Sequence, residues 1–104
     1  MSNMLLRADK AVTSGIERLW EKFPDSALPR MMGVSILSTM RGRYASSMDV
    51  GTLRAMTDAE VKAVFLRTTS ATQVTTFNAA LTALIKGNIL RRRDGFIEFD
   101  FRHI

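Results

Sequence analysis

The feature that most constrains this chain is a two-residue turn signal, Asp94-Gly95, near the end of the sequence. Because both central residues of a type I′ turn need positive φ, Asp-Gly between β-prone runs is among the strongest indications of a β-hairpin. Placing this pair at the turn sets Arg91 opposite Glu98 as a cross-strand ion pair. One side of the hairpin then collects the apolar residues Leu90, Ile97, Phe99 and Phe101. We therefore predict an antiparallel hairpin over residues 89–101, with Glu98 and Asp100 on its outward side.

Three consecutive arginines, Arg91, Arg92 and Arg93, precede this turn. The predicted pairing with Glu98 gives Arg91 a structural role and leaves the other two near the tip of the hairpin. Guanidinium groups at such a tip can bind phosphates in bidentate fashion or enter a minor groove. Charges also protect an exposed strand edge from pairing with another chain, but three arginines exceed that need. The run therefore favours contact with nucleic acid.

A helix is predicted directly before the hairpin, over residues 70–86. Thr69 or Ser70 can cap its first turn, and Gly87 is predicted to end it in the left-handed conformation. Its apolar stripe consists of Val74, Phe77, Leu81, Leu84 and Ile85. Its other side is predicted to be exposed and contains Thr72, Gln73, Thr75, Thr76, Asn78, Thr82 and Lys86. A plain solvated side would use Glu, Lys and Arg, which favour helix, so threonine and asparagine here indicate contact with bases or backbone.

Charge is distributed unevenly along the chain, whose net charge is +5. Residues 1–28 contain four basic and four acidic residues and carry no net charge. Residues 29–67 contain six basic and three acidic residues, a charge of +3, and residues 68–104 contain five and three, a charge of +2. A positive excess in these two segments suits a polyanionic partner. The length of 104 residues and the hydrophobic fraction of 46% fit a folded globular chain.

The N-terminal helix is predicted over residues 4–23, because the residue before Pro24 avoids the helical region. Its apolar residues recur at nearly heptad spacing and are Leu5, Ala8, Val12, Ile16, Leu19 and Phe23, with Trp20 beside them. Two uses of this side stay open: dimerisation across a two-fold axis, or packing on the chain's own domain. A second helix is predicted from Pro29 to about Met40, followed by a short strand at residues 44–47 that pairs with the hairpin.

The segment 49–67 has two interpretations. Asp49 or Thr52 can begin a helix, whereas Thr57 and Glu60 have the spacing of a capping box and would begin a separate one. Either residues 49–56 or residues 58–67 could therefore form the helix that positions residues 70–86.

The order of predicted elements from Pro29 to Phe101, and the run AALTALIKGNILRRRDGFIEFDF in particular, resembles the winged helix-turn-helix superfamily of small bacterial, plasmid and phage regulators. The resemblance implies a mostly α fold with a small antiparallel β wing. Residues 1–28 would form an extra N-terminal helix, for packing or dimerisation, and residues 29–104 the winged helix-turn-helix domain. A recognition helix would lie in the major groove and the wing on the backbone or in the minor groove. The residues expected to contact DNA are Ser70, Thr72, Gln73, Thr75, Thr76, Lys86, Arg91, Arg92 and Arg93, together with Arg43 and Arg54.

The implied function is sequence-specific binding of double-stranded DNA by a homodimer, as in a transcriptional repressor or a plasmid or phage operator or centromere binder. The alternative is a protein-interaction adaptor of the same fold, in which Trp20 and Phe23 would dock a partner. Enzymatic chemistry is not expected, because the sequence has no cysteine, no glycine-rich phosphate loop and a single histidine, His103. We expect no metal or cofactor. We expect a cytoplasmic location, because no apolar run approaches the ~20 residues of a membrane span and no signal peptide is evident.

Overall fold

The computed structural model describes residues 2–43, 47–65 and 68–103, with side chains described from residue 6 onward. These residues form four helices and three strands: α1 (Ser2–Lys22), α2 (Ala27–Gly42), β1 (Met48–Asp49), α3 (Val50–Val64), α4 (Ser70–Lys86), β2 (Leu90–Arg93) and β3 (Phe96–Phe99). The protein is thus mostly helical with a small antiparallel sheet, as the sequence predicts, and this is compatible with a helix followed by a β wing. Within the described ranges, no helix combines the length and the apolar character needed to cross a bilayer.

Helix α2 lies at the centre of the helical part and contacts each of the other three helices. Glycines allow α1 to approach it closely. A Cβ on Gly15 would lie 2.6 Å from Cδ1 of Leu37, and a Cβ on Gly33 would lie 2.5 Å from Cδ1 of Leu19. Around this crossing lie the fully buried side chains Leu19, Met32, Ile36, Leu37, Met40, Leu53, Phe77, Leu84, Leu90 and Ile97. The core therefore depends on two small residues as well as on the large ones.

The N-terminal helix packs on its own chain. Its fully buried residues are Ala8, Ala11, Gly15 and Leu19, and Val12, Ile16 and Phe23 pack partly buried against the same core. The apolar side predicted for dimerisation is therefore used within the chain, apart from Trp20, which is 57% exposed. The side chain of Leu5 lies outside the described residues. Of the two open uses, packing on the chain's own domain is the one observed for this side of α1.

Helix α3 corrects the division that the sequence suggested at Thr57. It runs without interruption from Val50 to Val64, so residues 50–56 and 58–64 belong to one helix. Asp49 caps it, because its carboxylate accepts a hydrogen bond from the Thr52 amide at 3.0 Å. Thr57 does not cap a second helix: its hydroxyl donates to the Leu53 carbonyl at 2.9 Å, as an interior helical threonine does.

One other boundary also differs from the prediction. Helix α2 begins at Ala27, two residues before Pro29, and ends at Gly42. A strand that pairs with the hairpin is present at Met48–Asp49. Residues 44–46 of the strand predicted at 44–47 lie outside the described part of the chain.

The hairpin has the predicted register. Leu90 pairs with Phe99 and Arg91 with Glu98, and the turn residues Asp94 and Gly95 have φ of 51° and 80°. The sheet order is β1-β3-β2, so β3 is the central strand. The turn is also held from α3, because the Val50 amide donates to the Gly95 carbonyl at 3.0 Å. The hairpin is therefore fixed at its tip as well as at its base.

The end of α4 differs from the prediction by one residue. Gly87 has φ of −83°, and the left-handed residue is Asn88, with φ of 62°. The Ile89 amide donates to the Leu84 carbonyl and the Asn88 amide to the Ile85 carbonyl, each at 3.0 Å, which is the hydrogen-bond pattern of a Schellman motif. Gly87 instead leaves room for the Arg18 side chain, because a Cβ at position 87 would lie 3.0 Å from Cγ of Arg18.

Asp100 was expected to face outward, but it is only 3% exposed. Its carboxylate accepts two hydrogen bonds from Arg102, at 2.9 and 3.1 Å, and lies 3.0 Å from Nδ1 of His103. The hydrogen bonds from Arg102 lower the pKa of Asp100 to about 2, although burial opposes them. The same segment is tied to α1, because Nη2 of Arg7 donates to the Phe101 carbonyl at 2.6 Å.

Candidate nucleic-acid interface

Helix α4 presents one continuous polar side to solvent. Thr69 caps the helix, as its hydroxyl accepts from the Thr72 amide at 3.1 Å. No residue of the helix is acidic. The exposed polar residues at successive turns are Thr72, Thr75, Asn78, Thr82 and Lys86, which we call the α4 face. The α4 face therefore carries one positive charge and no carboxylate. Ser70 is also exposed, in the first turn of the helix.

Two residues predicted on this exposed side are buried. Gln73 is 5% exposed and Thr76 is 9% exposed. Nε2 of Gln73 donates to the Asp58 carbonyl at 3.0 Å, so this side chain joins α4 to α3. The buried side of the helix is turned relative to the predicted stripe, because Ala80 and Ala83 also face the core. The prediction that Gln73 and Thr76 lie on the exposed side is therefore wrong, and neither reaches a base edge in this arrangement.

The N-terminal helix adds a lysine to the α4 face. A shallow depression of about 320 Å³ beside α4 is lined by Lys22, Phe23, Asn78, Ala79, Thr82, Ala83 and Lys86. Lys22 and Lys86 are both exposed and line this depression together with Asn78 and Thr82. This position of Lys22 could not be predicted, because the lysine belongs to a segment of balanced charge whose contacts are determined by the fold.

Arg18, one turn before Lys22, has a different role. Its Nε donates to the Ala83 carbonyl at 3.3 Å. The same carbonyl also accepts from the Gly87 amide at 3.0 Å, so Arg18 supplies its second hydrogen bond. Arg18 thus fixes the end of α4 on α1.

The wing arginines do not form one cluster. Nε of Arg91 lies 2.9 Å from Oε1 of Glu98, as predicted, and Nε of Arg93 lies 4.0 Å from the same oxygen. Because side chains alternate across a strand, Arg92 lies on the other side of the hairpin, opposite Ile97. That side packs on the helices, since Ile97 is fully buried. Arg92 is exposed at the edge of this helix side and forms no ion pair with the described residues.

The two remaining predicted residues lie near α3. Arg43 is exposed, and its Nη2 is 3.5 Å from Sδ of Met56. Arg54 is exposed and lies near Asp58, where burial raises the pKa of the carboxyl and the charge of Arg54 opposes that rise. Neither residue lines the depression beside α4. The structure therefore brings Lys22 and Lys86 together with the α4 face, but not Arg43 or Arg54.

Across the ranges the structure describes, no group of three or more His, Cys, Asp or Glu side chains could hold a metal ion. No family model, curated protein sequence or solved structure matches this chain. Short hydroxyl and amide side chains on a helix, bordered by ammonium groups, can hydrogen-bond to base edges and neutralise phosphates.

Proposed function

We propose that this protein binds double-stranded DNA as a winged helix-turn-helix protein, with the α4 face in the major groove and the hairpin as the wing. The observation that carries the proposal is the α4 face, a polar strip without a carboxylate that Lys22 and Lys86 border. A carboxylate on this strip would be repelled by a phosphate backbone, whereas threonine and asparagine can donate to and accept from base edges.

The order of the elements supports this proposal. A helix, a strand, two helices and a hairpin follow one another from α2 to β3, and β1 completes the sheet beside β3. This is the order implied by the resemblance to winged helix-turn-helix proteins. The 17 residues of α4 extend about 25 Å, and the major groove of B-DNA is about 12 Å wide and admits a helix.

The residues divide into two roles under this proposal. Thr72, Thr75 and Asn78 read base edges, because they are exposed on the first turns of α4, the part of a recognition helix that contacts bases. Lys22, Lys86, Arg92 and Arg93 contact phosphates, the wing acting on the backbone or in the minor groove. Binding would consequently weaken steeply with salt, since each neutralised phosphate releases counterions.

A protein with this interface would act as a homodimeric regulator, such as a transcriptional repressor or a plasmid or phage operator or centromere binder. Two half-sites per dimer raise both affinity and specificity. The second candidate function is a protein-interaction adaptor. It is favoured by a separate observation, the exposed Trp20 at the end of α1.

The test is sequence selection from a random duplex library, followed by fluorescence anisotropy on the selected duplex as salt rises from about 50 to 200 mM. We expect affinity to fall by orders of magnitude over this range. Replacing Lys22 and Arg92 with alanine should weaken binding to every duplex and reduce the salt slope by about two. Replacing Asn78 with alanine should instead relax sequence preference, by about 1–3 kcal/mol at the affected position.

The matched control is Ser14→Ala, a small polar change on the exposed side of α1. It should leave both the affinity and the salt slope unchanged. Absence of binding at low salt, or an affinity that does not respond to salt, would overturn the DNA proposal and favour the adaptor.

A further inference from the structure

An apolar groove lies between the end of α1, helix α2 and helix α3. Its volume is about 470 Å³, and its described lining includes Trp20, Met31, Val34, Val61 and Val64. Trp20 is 57% exposed and Val64 61% exposed, and they stand on different helices of this one groove. We call it the Trp20 groove. Apolar side chains exposed together in this way mark an interaction surface more often than scattered ones do.

Trp20 is held in place rather than free at the surface. The guanidinium of Arg30 lies over its indole ring, with Cζ 3.9 Å from the ring centroid. Nη1 of Arg30 is itself fixed, because it donates to the Phe23 carbonyl at 2.6 Å and to the Pro24 carbonyl at 2.9 Å. A side chain that is already ordered loses less entropy on binding, so the groove is prepared for a partner.

The charges of the groove are balanced. Its described lining contains one cation, Arg30, and one carboxylate, Glu60, which accepts a hydrogen bond from the Ser35 hydroxyl. The whole chain carries +5. A polyanion therefore has no electrostatic reason to bind here, and neither has a strongly acidic or strongly basic peptide. Two copies of this basic chain, by contrast, repel each other least when they approach through a neutral surface.

The groove is also complementary to itself. A two-fold contact places the same surface on both subunits, so any projecting group must find its recess on that same surface. Here the exposed indole of Trp20 and the exposed side chains of Val34 and Val64 line the same groove, so one surface offers both the projecting ring and the apolar cleft. The cation and the carboxylate are likewise both present on the one surface, as a self-pairing contact requires.

We propose that two copies of the chain pair through the Trp20 groove, with Trp20 of each copy against Val34 and Val64 of the other. The inference rests on the homodimer of the proposed function, but not on its DNA contacts. No residue of α4 or of the wing is among the described residues that line the groove. Pairing therefore leaves the α4 face open, and the test is made without DNA.

The sequence contains a single tryptophan, so the emission of the whole chain reports on Trp20. The experiment follows tryptophan emission and acrylamide quenching of the full chain from nanomolar to high micromolar concentration, alongside sedimentation equilibrium. We expect a dimer at high concentration. Emission should move to shorter wavelength, and quenching should fall, over the same concentration range in which the mass doubles.

The variant Val64→Glu tests the surface directly, because it places a charge in the recess. Its dimer dissociation constant should rise by more than about tenfold. The matched control is Leu6→Glu, which changes an apolar residue that is 58% exposed on α1 and does not line the groove. It should dimerise as the parent does. Circular dichroism and urea unfolding of both variants check that the fold is kept.

Three outcomes would overturn the proposal. One is a chain that stays monomeric with unchanged emission at every concentration. Another is a dimer that Val64→Glu does not weaken although the variant folds. The last is a monomer whose Trp20 emission shifts only on adding a different protein, which would assign the groove to that protein. None of these results bears on DNA binding, which the anisotropy measurement decides separately.

Discussion

The α4 face and the Trp20 groove are both exposed and both partly formed by the last turns of α1, yet their chemistry is opposite. The α4 face consists of hydroxyl and amide groups and is bordered by Lys22 and Lys86, without a carboxylate. The groove consists of apolar side chains with Arg30 and Glu60 in balance. Hydroxyl, amide and ammonium groups suit a polyanion, and a neutral apolar recess suits another protein surface.

The difference teaches that one small domain can present two surfaces of opposite chemistry, one on α4 and one between α2 and α3, although the last turns of α1 contribute to both. Helix α2 makes this possible. It packs against each of the other three helices and contributes Val34 and Ser38, among other residues, to the lining of the groove. Changes made on one surface should therefore leave the other surface unaffected, and this independence can be measured.

The largest expected effect comes from exchanging chemistry between the two surfaces. Thr75→Glu puts a carboxylate on the α4 face, and Ser38→Glu puts one in the groove; both positions are exposed and helical. Thr75→Glu should weaken duplex binding by about 100-fold or more, because like charges facing each other cost several kcal/mol. Ser38→Glu should weaken self-association and should lower duplex affinity only as far as the dimer's second half-site is lost. Anisotropy and sedimentation measure the two affinities, and equal losses in both variants would break the comparison.

The buried side of α4 gives the next largest effect. Gln73→Ala removes a hydrogen bond to the Asp58 carbonyl and leaves a cavity where a buried side chain was, which together should cost about 1–3 kcal/mol of unfolding free energy. Thr72→Ala, one residue away on the α4 face, should lower stability by less than about 0.5 kcal/mol and reduce DNA affinity instead. Urea unfolding and anisotropy on both variants measure this contrast. If Gln73→Ala lost DNA affinity at unchanged stability, the observed orientation of α4 would be wrong.

Asp100 sets a lower limit to the pH range in which the two surfaces can be compared, because its ion pairing contributes to the free energy of unfolding. The pKa of Asp100 is lowered to about 2 from the model-peptide value of 3.8, so its ion pairing stabilises the fold above the unfolded pKa. That contribution, about 1–2 kcal/mol after screening near the exposed Arg102, should be lost as pH falls from about 4 towards 2. Asp100→Asn should unfold more easily at neutral pH and show a flatter acid profile. A parent and variant with parallel profiles would contradict this assignment.

The smallest effect distinguishes arginines within the wing. Arg91→Ala breaks the ion pair with Glu98 and should change unfolding free energy by less than about 1 kcal/mol, with little change in the salt slope of duplex binding. Arg92→Ala should leave stability unchanged and lower the salt slope by about one. Salt titrations of both variants on one duplex check this. If the two variants had the same salt slope, the hairpin would not contact the phosphate backbone of the duplex.

The wing was predictable because its chemistry is local. Asp94 and Gly95 tolerate the positive φ that the turn needs, and the turn fixes every pair along β2 and β3. The neutralisation of Arg91 by Glu98 follows from that register alone. The third strand, Met48–Asp49, was not predicted from the sequence, because it is held by its partner strand and has no turn signal of its own.

The orientation of the helices was not predictable in the same way, because small residues determine it. Ala80 and Ala83 of α4, and Ala8 and Ala11 of α1, are buried although they contribute little to an apolar pattern. Close packing selects them where backbones approach one another. Gln73 and Thr76 are buried on the same side of α4 as these alanines, and a pattern of large apolar residues does not reveal this. The local signal at Thr57 failed for a related reason, since its hydroxyl satisfies a carbonyl within a helix that already began at Asp49.

Arg18, Trp20 and Lys22 lie within five residues of α1, and each serves a different neighbour: the end of α4, the Trp20 groove and the α4 face. A single turn of α1 therefore lies between all three neighbours. Thermodynamic reciprocity constrains the two binding events that we propose: whatever factor self-association contributes to duplex affinity, duplex binding must contribute to self-association. A change in this turn that altered one of these affinities through the other would alter both by the same factor.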